Sequence, residues 1–195
     1  NSNEVEDLIT AKRNSLRLVR MVEQLLELSK LQESPELNLV TYELCQLLQM
    51  PLDSFQRLCE QQSLSFSNQI PPSLFIECDA EAFEKVIFNL LANAVKYTPK
   101  GGSISIIVHD NPQEIAIDVI DTGIGINKSL QSVIFKRFEQ AHDSNSETQF
   151  GVGIGLSLVN ELVKAHHWRI SVVSEPNKGS KFTLYIPKAA QIAEA

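Results

Sequence analysis

The chain has 195 residues, enough for one domain and a small appendage. Its 17 Lys and Arg against 24 Asp and Glu leave a net charge of −7, which excludes a non-specific nucleic-acid binder with a basic face. A composition of 43% hydrophobic and 21% charged residues excludes wholesale disorder, and no apolar run approaches the ~18 residues of a membrane span.

Residues 2–33 read as one long helix. Val5, Leu8, Ile9, Leu16, Val19, Val22, Leu26 and Leu31 recur at helical spacings between charged and amide side chains, and no Gly or Pro intervenes before Pro35. Such a stripe needs a partner, either the rest of its own domain or other helices of a bundle. The start, Asn1-Ser2-Asn3-Glu4, has no secretory character.

From Pro35 the pattern changes to short strands at 38–42, 64–68 and 74–78, with a helix over 52–62. A strongly apolar helix is expected from Asp79 or Ala80 to about Tyr97, with Asp79 as its N-cap. Strands at 103–109 and 115–120 follow, joined by the turn Asp110-Asn111-Pro112. Residues 127–150 are polar and poorly periodic. A helix over 155–166 and strands at 169–174 and 181–187 close the domain, turning at Glu175-Pro176-Asn177-Lys178-Gly179. The sum is an α+β fold, a two-layer sandwich of a mixed, largely antiparallel sheet with helices on one face.

Cys45, Cys59 and Cys78 form no C-x-x-C pair and read as reduced, mostly buried thiols. Glycine is scarce, and its placement is uneven. All eight lie after residue 100, seven of them as Gly101-Gly102, Gly123/Gly125 and Gly151/Gly153/Gly155. Clustered glycines mark special backbone requirements.

Three constellations bear on chemistry. At ~100° per residue, Asn93 and Lys96 fall within about 40° of Asn89, so two carboxamides and an ammonium share one stripe of the 80–97 helix. A solvated face accounts for such a stripe. So does a ligand face, because Asn is a poor mid-helix residue while its oxygen ligates Mg²⁺ and a neighbouring Lys meets phosphate. Asp121-Thr122-Gly123-Ile124-Gly125-Ile126 follows a strand, reading either as a plain glycine turn or as an acceptor carboxylate beside backbone open to a flat ring. Gly151-Val152-Gly153-Ile154-Gly155-Leu156 leads into a helix whose free amides suit an anion. It follows a loop instead of a strand, and G-x-x-x-x-G-K-[ST] occurs nowhere, so neither a Rossmann nor a Walker site is present.

Taken in order, these pieces resemble the ATP-binding domain of sensor histidine kinases, in the superfamily of type II topoisomerases, heat-shock chaperones and mismatch-repair ATPases. NLLANAVKYTPKGG (89–102) is similar to the N box, DTGIGI (121–126) to the first glycine box, IFKRFEQ (134–140) to the F box and GVGIGLSLV (151–159) to the second glycine box. The resemblance covers about 36–188 and implies the Bergerat form of the sandwich. It implies that Asn89 and Asn93 serve Mg²⁺, that Lys96 contacts phosphate and that Tyr97 packs near the nucleoside. Asp121 is then the acceptor for the adenine amine, with Gly123, Gly125 and Ile126 lining the base pocket. Gly151, Gly153, Gly155 and Leu156 take the phosphate side, and Phe135 and Phe138 anchor an ATP lid over 127–150. Gln140 departs from relatives that carry Arg there.

The resemblance also implies three regions: 1–34 as the second helix of a dimerisation and phosphoacceptor module, 35–188 as the catalytic domain, and 189–195 as a tail. The phosphorylated His is expected upstream, since none of His109, His142, His166 and His167 suits the role. The expected cofactors are ATP and Mg²⁺. The expected partners are a response-regulator receiver domain and a second copy of the parent protein, with no nucleic acid and no direct membrane contact, in the cytoplasm. The fragment is expected to bind Mg-ATP without phosphorylating itself. Two other classes fit parts of the pattern: another ATPase of the superfamily, which the leading helix disfavours, and a nucleotide-free scaffold, which the intact boxes disfavour.

Overall fold

The computed structural model describes residues 36–136 and 154–188, with nine positions of the N-terminal segment. Those nine, Leu8, Ala11, Lys12, Ser15, Leu18, Val19, Val22, Glu23 and Leu26, are all helical and exposed. The stripe residues among them are left uncovered, with Leu8 at 70% and Leu26 at 58% exposure.

Five strands form the main sheet: β2 (Ser65–Gln69), β4 (Ser103–Asp110), β5 (Glu114–Asp121), β6 (Arg169–Glu175) and β7 (Gly179–Pro187), in the order β2-β4-β5-β7-β6. Only the β2–β4 pair is parallel. The two earlier strands, β1 (Val40–Glu43) and β3 (Phe75–Cys78), stand apart as an antiparallel pair. Helices α1 (Leu44–Gln61), α2 (Ala80–Tyr97) and α4 (Gly155–Ala165) pack on one side of the main sheet, and a single turn of helix, α3 (Lys128–Gln131), follows the first glycine box.

Strand periodicity sets which side is core. Ile104, Ile106 and Val108 of β4 pair with Asp121, Val119 and Ile117 of β5, and those with Ser180, Phe182 and Leu184 of β7. All nine lie on the side toward the helices and are buried. Asp121 and Ser180 are thus the polar end of an otherwise apolar face, a placement that decides the site. On the opposite side Asp118 accepts from Thr183 Oγ1 at 2.6 Å and lies 3.1 Å from His109 Nε2.

One expected boundary moves. The helix forecast over 52–62 begins eight residues earlier and contains Pro51. Leu44, Leu48, Pro51, Phe55 and Cys59 are buried at spacings of four and three, so apolar burial along this face outweighs the backbone bond that proline removes. Cys59 and Cys78 are buried and Cys45 half-buried, all three as free thiols.

Asp79 caps α2 as expected, its Oδ1 accepting from Ala82 N at 2.9 Å. Its Oδ2 accepts from Asn38 N at 3.0 Å, and its own N–H donates to His166 Nε2 at 3.2 Å. His166, the C-cap of α4, lies 2.8 Å from the Leu162 carbonyl through Nδ1 and stacks on Trp168. With Nδ1 donating and Nε2 accepting, this ring is neutral, and burial holds its pKa below the ordinary 6.5. Because the folded value is depressed, the stability it contributes is complete above about pH 6.5 and is lost as pH falls through the lower folded value. The urea midpoint is expected to drop between pH 7 and pH 5, and to drop less in His166→Gln. Equal slopes in the two proteins would contradict this.

Candidate nucleotide site

Helix α2 turns Ala82, Phe83, Val86, Ile87, Leu90, Leu91, Ala94 and Val95 into the core, leaving the stripe Asn89, Asn93 and Lys96 at its edge. Asn89 is oriented by its own helix, its Nδ2 donating to the Lys85 carbonyl at 2.8 Å. That bond leaves Oδ1 facing the first residue of α4. A Cβ on Gly155 would lie 2.7 Å from that oxygen, so a side chain there displaces it. Asn93 is half-buried one turn along. Lys96, at the exposed C-terminal end, donates to Tyr97 Oη at 2.7 Å and sits 4.3 Å from the centre of that ring.

The same helix end carries the first glycine box. Ile124 N donates to the Tyr97 carbonyl at 3.1 Å, and a Cβ on Gly123 would lie 2.5 Å from that carbonyl oxygen. Asp121, at the end of β5, is 6% exposed. Its Oδ1 accepts from Gly123 N at 2.8 Å and Ser180 N at 3.3 Å. Burial raises its carboxyl pKa above the ordinary range, and the donors from Gly123 and Ser180 oppose that rise. The result is a desolvated acceptor fixed at the inner edge of the sheet. From Tyr97 back to Asn89 is about 12 Å along the helix, a span on the scale of an extended nucleotide.

The β6–β7 hairpin backs this loop, and sequence reasoning did not assign it to the site. A Cβ on Gly125 would fall 2.0 Å from the Glu175 carbonyl oxygen, and Asn177 N donates to the Ile124 carbonyl at 2.7 Å. Gly179, expected only as a hairpin residue, lies against the Asp121 backbone. The overlooked signal was parity: counting by twos along β7 from Phe182 puts Ser180 on the side of Asp121.

Of the other expected site residues, Leu156 is half-buried on the first turn of α4, whose N-cap Ile154 is 1% exposed. Phe135 packs edge-on against Phe182 at 6.4 Å and Ile126 lies against the core. Phe138, Gly151 and Gly153 lie outside the described residues, as does the part of the expected lid from 137 to 150. Among the described residues no group of three His, Cys, Asp or Glu could hold a metal ion.

A two-layer sandwich with a buried acceptor on the sheet and an amide stripe on the facing helix is the arrangement expected of a nucleotide-binding fold. Residues 78–190 match the family described as histidine kinase-, DNA gyrase B- and HSP90-like ATPases, and the chain belongs to that family. It is similar to the sensor histidine kinase TmoS of Ectopseudomonas mendocina, 36% identical over 178 residues, covering 90% of this chain and 18% of that protein. It is also similar to the adaptive-response sensory kinase SasA of Rippkaea orientalis, 33% identical over 188 residues, covering 93% of this chain and 47% of that protein. The chain therefore spans under half the length of either relative. Its fold matches full-length ShkA in complex with AMPPNP, with a TM-score of 0.75 and 22% identity over 89% of this chain and 37% of that one. It matches ThkA in complex with the response regulator TrrA, with a TM-score of 0.72 and 23% identity over 90% of this chain and 49% of that one.

Proposed function

We propose that the chain is the ATP-binding catalytic part of a sensor histidine kinase, within a protein that moves the γ-phosphoryl group of Mg-ATP to a histidine and then to a receiver aspartate. The observation that carries this is Asp121: a buried carboxylate at a strand end, aimed by two backbone N–H groups beside the first glycine box. In this reading its carboxylate accepts the adenine amine, Gly123, Gly125 and Ile126 line the base, and Tyr97 packs near the nucleoside. Gly151, Gly153, Gly155 and Leu156 serve the phosphates with Lys96, while Phe135 and Phe138 anchor the lid.

The residues present suit Mg²⁺. Asn89 presents a neutral oxygen whose direction is set by the bond to Lys85, and Asn93 lies one turn on the same stripe. When bound, the ion neutralises phosphate charge, and the protein's own contribution is placement. Asn89 and Asn93 would hold it, and Gly155 keeps α4 close without displacing the Asn89 oxygen.

The remaining assignments follow the same reading. Residues 1–34 supply a dimerisation helix, supported by the uncovered Leu8, Val19, Val22 and Leu26, while 35–188 form the catalytic domain and 189–195 a tail. A receiver domain is the phosphoryl partner, in keeping with the complex of ThkA and TrrA, and the site works on the cytoplasmic side. Among the described residues no helix is long and apolar enough to cross a membrane. The acceptor is a histidine other than the four present: His166 is neutral and buried, and His109 lies against Asp118.

Calorimetry with AMPPNP tests the reading. Binding is expected with magnesium, to weaken about tenfold in EDTA as one metal-bridged contact is lost, and to lose that dependence in Asn89→Ala/Asn93→Ala. Incubation with γ-labelled ATP should leave no stable label on the chain. Absence of nucleotide binding, or labelled histidine in this chain, would each refute the assignment concerned.

A further inference from the structure

The polar row on the helix side of the sheet does not stop at Ser180. Ser174 pairs with it across β6 and β7, so Asp121, Ser180 and Ser174 stand side by side on three adjacent strands. We propose that Ser174, supported by Gln131, is a positioning residue for base recognition. It ties the loop under the adenine to the carboxylate that reads it.

The hydrogen bonds meet at the Ser174 hydroxyl. Ile126 N donates to Ser174 Oγ at 2.8 Å, and Ser174 Oγ lies 3.1 Å from Ser180 Oγ and 2.8 Å from the Gly179 carbonyl. Ser180 itself donates its backbone N–H to Asp121 Oδ1 at 3.3 Å. Each hydroxyl has one proton to give. The Ser174 proton goes to the Gly179 carbonyl and its oxygen receives the Ile126 amide, which leaves the Ser180 hydroxyl to donate to Ser174 Oγ. Ser174 thus joins the Ile126 amide to the Gly179–Ser180 segment, whose backbone N–H in turn holds Asp121 Oδ1.

Gln131 closes the other side. Its Nε2 donates to the Ser174 carbonyl at 2.7 Å and to the Ile126 carbonyl at 2.9 Å. Ser174 therefore holds Ile126 through its hydroxyl, and Gln131 holds the two residues together. Asn177 fixes Ile124 from the same hairpin. The peptides of 124–126 are pinned against β6, and the first turn after the loop, α3, is pinned with them. A flat ring needs both parts in fixed relation: the surface it lies on and the acceptor at its edge.

The inference rests on the reading of Asp121 as the adenine acceptor, and the experiment separates the two. The full chain is titrated with ADP and with IDP, which carries a carbonyl where adenine carries its amine. The wild-type chain is expected to prefer ADP. Ser174→Ala is expected to lose about fivefold in ADP affinity, the scale of one hydrogen bond, while IDP affinity holds, so that discrimination shrinks. Ser174→Thr, which keeps the hydroxyl, should restore the preference. Gln131→Ala, on a surface turn, should shift the ratio in the same direction and carries the test if Ser174→Ala does not fold. A ratio unchanged in the variants, whether both affinities hold or both fall together, would mean that Ser174 only supports the fold. A wild-type chain that bound neither nucleotide, or bound both equally, would overturn the reading of Asp121 itself and the inference with it.

Discussion

Asp121→Asn is expected to weaken adenine-nucleotide binding by about 100-fold or more, a loss of roughly 3 kcal/mol. The exchange keeps size and shape but converts an acceptor-only group into one with an NH₂. Asp121 Oδ1 already serves two backbone donors, Gly123 N and Ser180 N. If the amide oxygen of Asn takes that place, its NH₂ meets the adenine amine, donor against donor. If the group turns over, the NH₂ meets Gly123 N–H. Either orientation leaves one clash in a dry pocket. Stability should hold or rise, because burial already penalises the carboxylate charge. Calorimetry with ADP and a thermal melt check both halves. Unchanged affinity would remove Asp121 from the pocket, and a collapsed melt would make its role structural.

Gly179→Ala is expected to cost about 3 kcal/mol or more, lowering the melting temperature by roughly 6–12 °C. Two terms add. The residue sits at φ +93, a region that L side chains rarely adopt, and its Cβ would lie 1.9 Å from the Asp121 carbonyl oxygen. That neighbour is backbone of the central strand and cannot swing away. Gly101 provides the control, with φ +84 and nothing within 4 Å of a built Cβ. Gly101→Ala should therefore cost only the conformational term, about 1 kcal/mol. Equal melting shifts for the two variants would show that the contact with Asp121 adds nothing. Nucleotide affinity measured below the melt should also fall in Gly179→Ala, since the strand end being pushed carries the acceptor.

Much of this was legible in the chain itself. Strand alternation and the long apolar helix were enough to place β4 to β7 and α2, and Asp79 was readable as a cap because it precedes a helical run with no competing N-terminal residue. The start of α1 was not, since Pro51 is a local stop signal that only tertiary burial of Leu44 and Leu48 overrides. In the site, Asp121 and the amide stripe were readable because their motifs are contiguous. Ser174, Gln131 and Gly179 were not: each has a partner some forty residues or more away in the chain. Their partners become neighbours only once β5, β7 and β6 are laid side by side.

Seating the acceptor by strand parity makes the pocket an all-or-none property of register. Sliding β5 by one residue would turn Asp121 to the opposite face of the sheet and bring Asp118 and Ile120 toward the helices, while leaving the number of ladder bonds almost unchanged. Insertions in pairs along these strands preserve which residues face the helices, and single insertions invert it. Chain length can therefore vary freely at the β4–β5 turn, around Asn111 and Pro112, but within β5 and β7 it is quantised by the nucleotide.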